Sequence, residues 1–278
     1  MKREFTIGVL SLMLMVTNST AWAKSDVPKT TASASKVSAT SEAESIITDR
    51  PDFTESTETV PVGMTQIEAG VTFARQGDER SRSLGEVLVR QSLGRKTELR
   101  LELPTRSSTR SREFGGHAGF EDMAVGFKTM LSQGSGKMGL GQPRVSLIGA
   151  TSLPTGSRNR RSRRLQPEVK LLMGWDLSEN TALSSNINYA YLSDDGKRFG
   201  ELGLSLSLAH SLSEKVGSYV EVFGFVPNGD RASSRYINGG FTYLVNPNFQ
   251  LDARLGFGLS NDVDGADNFF GFGAARRF

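Results

Sequence analysis

The chain contains no cysteine, which removes thiol catalysis, disulfide frameworks and Cys-ligated zinc at once. Histidine is limited to His117 and His210, so imidazole chemistry has little to draw on. Apolar residues make up only 37% of the 278 positions, below the usual globular share. Beyond the N-terminus no apolar run approaches the length of a membrane helix. Charge is nearly balanced, 33 Lys+Arg against 30 Asp+Glu, and gives no case for a nucleic-acid partner. Glycine is abundant at 30 and proline scarce at 9; the composition is neither collagen-like nor that of a disordered chain.

At the start, Lys2 and Arg3 precede an apolar stretch from Ile7 to Val16, and Ala21-Trp22-Ala23 follows. A basic start, a short apolar run and an A-x-A site predict a secretory signal peptide over residues 1–23. The stretch is about half the ~20 residues a spanning helix needs. Residues 24–45 are rich in Ser, Thr and Ala and predict a flexible linker, unable to bury enough surface to offset ordering. Residues 46–63, opening Ile46-Ile47-Thr48-Asp49-Arg50-Pro51-Asp52-Phe53-Thr54-Glu55-Ser56, combine apolar anchors with dense charge. They read as a segment that docks on something.

From about residue 64 the pattern alternates to the end. Glu98, Arg100 and Glu102 fall on one parity and Leu99, Leu101 and Leu103 on the other; Leu202 to Leu208 and Phe249 to Ser260 repeat the scheme. Period two means strands with one apolar and one polar face. Twelve segments fit, near 64–75, 83–92, 97–103, 119–131, 142–152, 165–176, 181–193, 199–210, 216–226, 235–245, 249–260 and 268–278. Connections after even-numbered strands are mostly short, the Gly-rich 132–141 stretch being the exception, and those after odd-numbered ones, such as 76–82, 104–118 and 154–164, are mostly longer. Both features predict an all-β, antiparallel up-and-down transmembrane barrel over 64–278, in the outer membrane of a Gram-negative bacterium. In hydrocarbon no edge can stay unpaired, so the first strand must bond the last.

The Asp49-Arg50-Pro51-Asp52-Phe53-Thr54-Glu55-Ser56 block, with Gln66-Ile67-Glu68-Ala69-Gly70, Ser152-Leu153-Pro154-Thr155-Gly156, Asn238-Gly239-Gly240-Phe241-Thr242-Tyr243 and the closing Gly271-Phe272-Gly273 to Arg277-Phe278, resembles the meta-pathway of phenol degradation family over residues 46–278. That resemblance implies an outer-membrane barrel with a transport role and an association with aromatic substrates.

If the polar parity lines a lumen, Glu98, Arg100, Glu102, Glu168, Lys170, Glu221, Asp252 and Arg254 set its field and its selectivity for a small-molecule solute. Tyr219, Phe223 and Phe225 share parity with Glu221. They form either a greasy track for an aromatic solute or a bed for Ile46, Ile47 and Phe53, unless a bulge flips the register. Asp49, Arg50, Pro51, Asp52 and Phe53 form the core of a candidate plug at the periplasmic mouth; a tail that binds a periplasmic partner is the competing reading. Arg158, Arg160, Arg161, Arg163 and Arg164 load one loop, with Arg106, Arg110 and Arg112 in its neighbour. On the outer rim these would face lipid and pair with lipopolysaccharide phosphates, against the plainer reading of a solvated loop. Phe272 and Phe278 resemble the terminal signal read by the barrel-assembly machinery. No cofactor or metal site is expected and catalysis is not: His210 lies at a strand end without a serine motif, and His117 has only Glu121 nearby. The readings are therefore a passive channel, a non-conducting structural or surface-interaction barrel, or, least favoured, a lipid-modifying enzyme.

Overall fold

The computed structural model describes residues 18–19, 45–112, 115–194, 196–259 and 265–278. The signal-peptide and linker readings fall, apart from residues 18–19 and 45, outside these. A two-residue ladder joins β1 (Asn18–Ser19) to β2 (Thr48–Asp49). Everything else belongs to one sheet: β3 (Thr65–Gln76), β4 (Glu79–Ser92), β5 (Thr97–Glu102), β6 (Arg106–Ser111), β7 (Gly115–Phe120), β8 (Met123–Gln133), β9 (Arg144–Leu153), β10 (Gln166–Ser178), β11 (Thr181–Asp194), β12 (Lys197–Ser211), β13 (Val216–Pro227), β14 (Ser234–Asn246), β15 (Phe249–Gly258) and β16 (Asn268–Arg277).

Each strand pairs antiparallel with its neighbour, and β3 pairs with both β4 and β16, which closes the ring. Twelve strands complete the circle; β6 and β7 extend it on one side. Closure removes the sheet edge, as a surface meeting hydrocarbon requires. The outward parity is apolar and exposed, for example Leu204, Leu206, Val220, Val222, Leu251 and Leu255, whereas the inward parity is polar and buried. A water-soluble protein inverts that distribution. Tyr189, Tyr191, Phe241, Tyr243 and Phe270 stand exposed toward strand ends, where amphipathic rings meet headgroups. Phe272 and Phe278 are also exposed.

Two expected loops are not loops. The 76–82 connection is a turn at Gly77-Asp78, with Gly77 at φ +56° and β4 beginning at Glu79. The 104–118 connection is mostly the β6–β7 hairpin, which prolongs β5 and β8 beyond short breaks at 103–105 and 121–122. The reason is shared. β4 carries a one-residue bulge, since Glu68 pairs with Leu88 but Gly70 with Gly85. β5 pairs below that bulge and β6 above it, so the facing strand breaks where the ladder does. Pro104, which cannot donate to a ladder, sits in the break.

The free edge of β7 is covered by the 154–164 loop: Ser157 donates its backbone N–H to the Phe120 carbonyl at 2.8 Å, and Asn159 Nδ2 donates to Ala118 at 3.3 Å.

Candidate functional site: the filled lumen

Residues 45–63 run inside the barrel as a re-entrant loop. Entry is at the short-turn rim, where the Ile46 N–H donates to the Pro247 carbonyl at 2.7 Å. The loop climbs to Phe53, turns and descends past Glu58 and Val60 to the start of β3. The Arg50–Pro51 peptide on the way up is cis. Thr48, Asp49, Arg50, Asp52, Phe53, Thr54, Glu55 and Ser56 are all buried.

The wall beneath the loop carries charges that do not balance alone. Arg90 forks onto Glu98 at 2.9 and 3.0 Å and reaches Glu68 at 3.1 Å. Arg100 adds a contact to Glu98 at 2.9 Å, and Lys128 lies 3.9 Å from the same carboxylate. Three buried cations thus face two buried carboxylates. Asp49 supplies the missing anion: Lys128 Nζ donates to both its oxygens at 3.0 Å, Arg90 lies at 3.5 Å, and Arg100 Nη1 donates to it closely. Its own N–H is held by Glu68 at 2.9 Å. Burial pushes the Asp49 carboxyl up, but Arg90, Lys128 and Arg100 outweigh it and hold the group far below the usual carboxylate range.

The opposite imbalance lies beside it, along β4, β3, β16 and β15. Glu86 and Asp252 are both buried, and the segment answers with Arg50, whose guanidinium meets Asp252 at 3.1 Å, Glu86 at 3.2 Å and the Phe272 carbonyl at 3.2 Å. Its path is a slot between Gly70 and Gly273, directly opposite each other in the β3–β16 register. A Cβ on either glycine would fall inside the guanidinium. Glu55 pairs with Lys170 at 2.9 Å, beside Glu168 at 3.5 Å from the same ammonium. Glu102 is half-buried in the field of Lys170 and Arg100. Arg254 donates to the Pro51 carbonyl at 2.9 Å. Unpaired buried charge costs several kcal/mol, so a wall and a segment that complete each other at separate points are strongly matched.

At its tip the loop becomes apolar. Phe53 stacks on Phe223 with centroids 4.7 Å apart and meets Phe225 edge-on at 5.2 Å; Tyr236 and Phe269 extend the cluster. Tyr219 and Phe223 do face inward, without a register flip. Ile46 and Ile47 do not join them: Ile46 stays at the rim near Pro247 and the Ile47 carbonyl accepts from Gln66 and Arg90. Glu221 holds the tip, accepting from the Phe53 and Thr54 N–H groups at 2.8 and 2.6 Å and from Asn238 at 2.6 Å. Ser207 donates to Asp52 at 2.8 Å. Burial first, then the charge of nearby Glu221, raises the Asp52 carboxyl well above its ordinary value.

Alternation identified Glu98, Arg100, Lys170, Glu221, Asp252 and Arg254, and these line the contact. Arg90, Lys128 and Glu68 were missed, although the same parity rule applies to Arg90 with Leu88 and to Lys128 with Ala124 and Met130. Glu86, on the same parity as Leu88 and Arg90, was missed as well; the bulge reverses parity only beyond it. In the Arg-rich loop, Arg158, Arg161, Arg163 and Arg164 are exposed. Arg160 instead turns inward, its side chain 4% exposed, to Glu121 at 3.3 Å and Thr109 at 2.8 Å; covering the β7 edge needs it there. His210 Nδ1 lies 3.0 Å from Thr181 Oγ1 on the outer face, and His117 is exposed on β7.

Over residues 48–278 the chain matches the family described as "Putative MetA-pathway of phenol degradation". Among solved structures, the COG4313 outer membrane channel from Pseudomonas putida F1 superposes with a TM-score of 0.67 at 14% identity, covering 80% of this chain and 98% of that one; the two share a fold. The KdgM porin gives 0.47 at 11% identity over 77% and 99%. The translocator domain of the autotransporter NalP from Neisseria meningitidis gives 0.48 at 12% over 77% and 87%. No curated protein matches the chain.

Proposed function

We propose, because the chain belongs to the MetA-pathway of phenol degradation family, that it is a passive outer-membrane channel for small solutes, closed by its own N-terminal segment. The observation that carries this reading is charge complementarity: Asp49 meets the cationic side of the lumen and Arg50 the anionic side. A barrel that needed no passage would fill its interior most cheaply with apolar side chains from its own strands. Here the wall keeps charges that water and solute could use, and a separate segment neutralises them. The short-turn rim, where that segment enters, is then the periplasmic one.

Aromatic or otherwise hydrophobic small solutes suit the interior best. With Phe53 withdrawn, Phe223, Tyr236 and Phe269 would present ring faces to the lumen, and flat apolar molecules stack on such faces. The name of the family points the same way.

The test is planar-bilayer conductance of the full chain and of a variant lacking residues 46–56. The full chain should show rare or small openings and the deletion larger, persistent ones. Equal conductance rejects the segment as the closing element. Silence from both favours the second reading, a non-conducting structural barrel, for which the buried ion clusters inside the lumen speak.

A further inference from the structure

The bulge in β4 does more than aim Glu86 at Arg50. Gly85 at φ +104° and Glu86 at φ +40° insert one residue, and one inserted residue exchanges the two faces of everything beyond it. Below the bulge Leu88 and Arg90 point into the lumen. Above it Arg80 and Arg82, of the same parity, are exposed on the outside. The break between β5 and β6 acts likewise: Glu98 and Arg100 face inward, whereas Arg106 and Arg110 are exposed.

Register assembles these residues into a grid on the outer wall. Arg75 pairs with Arg80, and Arg80 with Arg110. The next row is Phe73, Arg82 and Ser108; the row below is Leu84, Arg106 and Phe120. At about 4.8 Å between strands, the top row spans roughly 10 Å. Like charges directly opposite one another across strands are destabilising. No ion pair with a carboxylate relieves any of the five arginines among the described residues. Rings stand within the two lower rows: Phe73, beside Arg82, stacks on Phe270 at 4.9 Å, and Phe120, beside Arg106, is half exposed.

We propose that Arg75, Arg80, Arg82, Arg106 and Arg110 form a binding site on the barrel exterior for the phosphorylated headgroup of an outer-leaflet glycolipid, of the lipid A class. The grid lies on the long-loop rim, which faces the outer leaflet. Guanidinium groups match phosphate bidentately, and the rings of Phe73, Phe270 and Phe120 beside the lower arginines accept acyl chains. The strand arginines, rather than the exposed ones of the 154–164 loop, are the primary ligands, because the sheet holds them in a fixed array. The site is independent of whether the lumen conducts.

The experiment is native mass spectrometry of the full chain in uncharged detergent, titrated with diphosphoryl lipid A, monophosphoryl lipid A or phosphatidylglycerol. A one-to-one adduct with diphosphoryl lipid A is expected, and it should weaken at least roughly tenfold in Arg80→Gln/Arg82→Gln/Arg106→Gln/Arg110→Gln. The loop variant Arg158→Gln/Arg161→Gln/Arg163→Gln/Arg164→Gln should keep it. Heat-modifiable migration on gels reports folding; if the quadruple strand variant fails that check, Arg80→Gln/Arg110→Gln replaces it. Undiminished adducts in the folded strand variant, loss in the loop variant alone, or equal binding of phosphatidylglycerol would each overturn the proposal.

Discussion

Asp49→Asn tests the closing segment at its most loaded contact. The side chain keeps its shape and loses one negative charge from a cluster of three cations, Arg90, Arg100 and Lys128, and three carboxylates, Asp49, Glu68 and Glu98. Removing one partner of a buried pair typically costs about 3–5 kcal/mol, since the remaining charge stays desolvated. The lower end applies, because Lys128 still donates to the Ser56 carbonyl at 2.9 Å and Arg100 still reaches Glu98. About 3 kcal/mol shifts a docking equilibrium by roughly two decades. Part of that cost would fall on the barrel itself if the segment stayed docked, so the assay must read docking. Single-channel recording does: open probability should rise by about that factor, up to saturation, with unitary conductance approaching that of the 46–56 deletion. The same substitution has no counterpart in the deletion variant, which should already be open. If Asp49→Asn leaves open probability at the level of the unmodified chain while the protein is folded, the ion cluster does not hold the segment.

Four further outcomes follow from the same geometry. Thr54 and Ser205 hydroxyls lie 2.8 Å apart in a protein without cysteine, so Thr54→Cys/Ser205→Cys should form a single disulfide that abolishes openings until a reductant is added. Phe53→Ala should favour the open state by about 3 kcal/mol through lost ring burial, read as more frequent openings; unchanged gating would show that the ring cluster is not part of the closure. Gly70→Ala or Gly273→Ala should evict the Arg50 guanidinium from its slot and raise open probability as Arg50→Gln does, with no additional effect when combined with it. Docking raises the Asp52 carboxyl above its free value, so docking takes up a proton. The Asp52 contribution is full below its ordinary value and is lost as pH rises through the docked one, whereas that of Asp49 is lost only in stronger acid. Closure should therefore weaken as pH rises above the ordinary carboxylate range, and Asp52→Asn should flatten that fall.

Much of this could be read from the residues alone. Alternation of charged and leucine positions across 97–103 and 249–260 specifies strands, because only a period of two separates those sets. Repeated twelve times with an apolar outer face, it specifies a closed barrel, since hydrocarbon tolerates no open edge. The Asp49 to Ser56 block declared itself by mixing charge with apolar anchors. What alternation could not supply was anything that depends on long-range register. The bulge at Gly85–Glu86 is invisible to a parity count, and with it went the outward turn of Arg80 and Arg82. Arg160 looked like its loop neighbours until the uncovered β7 edge drew it inward. Local pattern determines which face a side chain takes relative to its neighbours in the chain. Only the closed structure decides which charges meet, because contacts such as Arg50 with Asp252 join residues some two hundred positions apart.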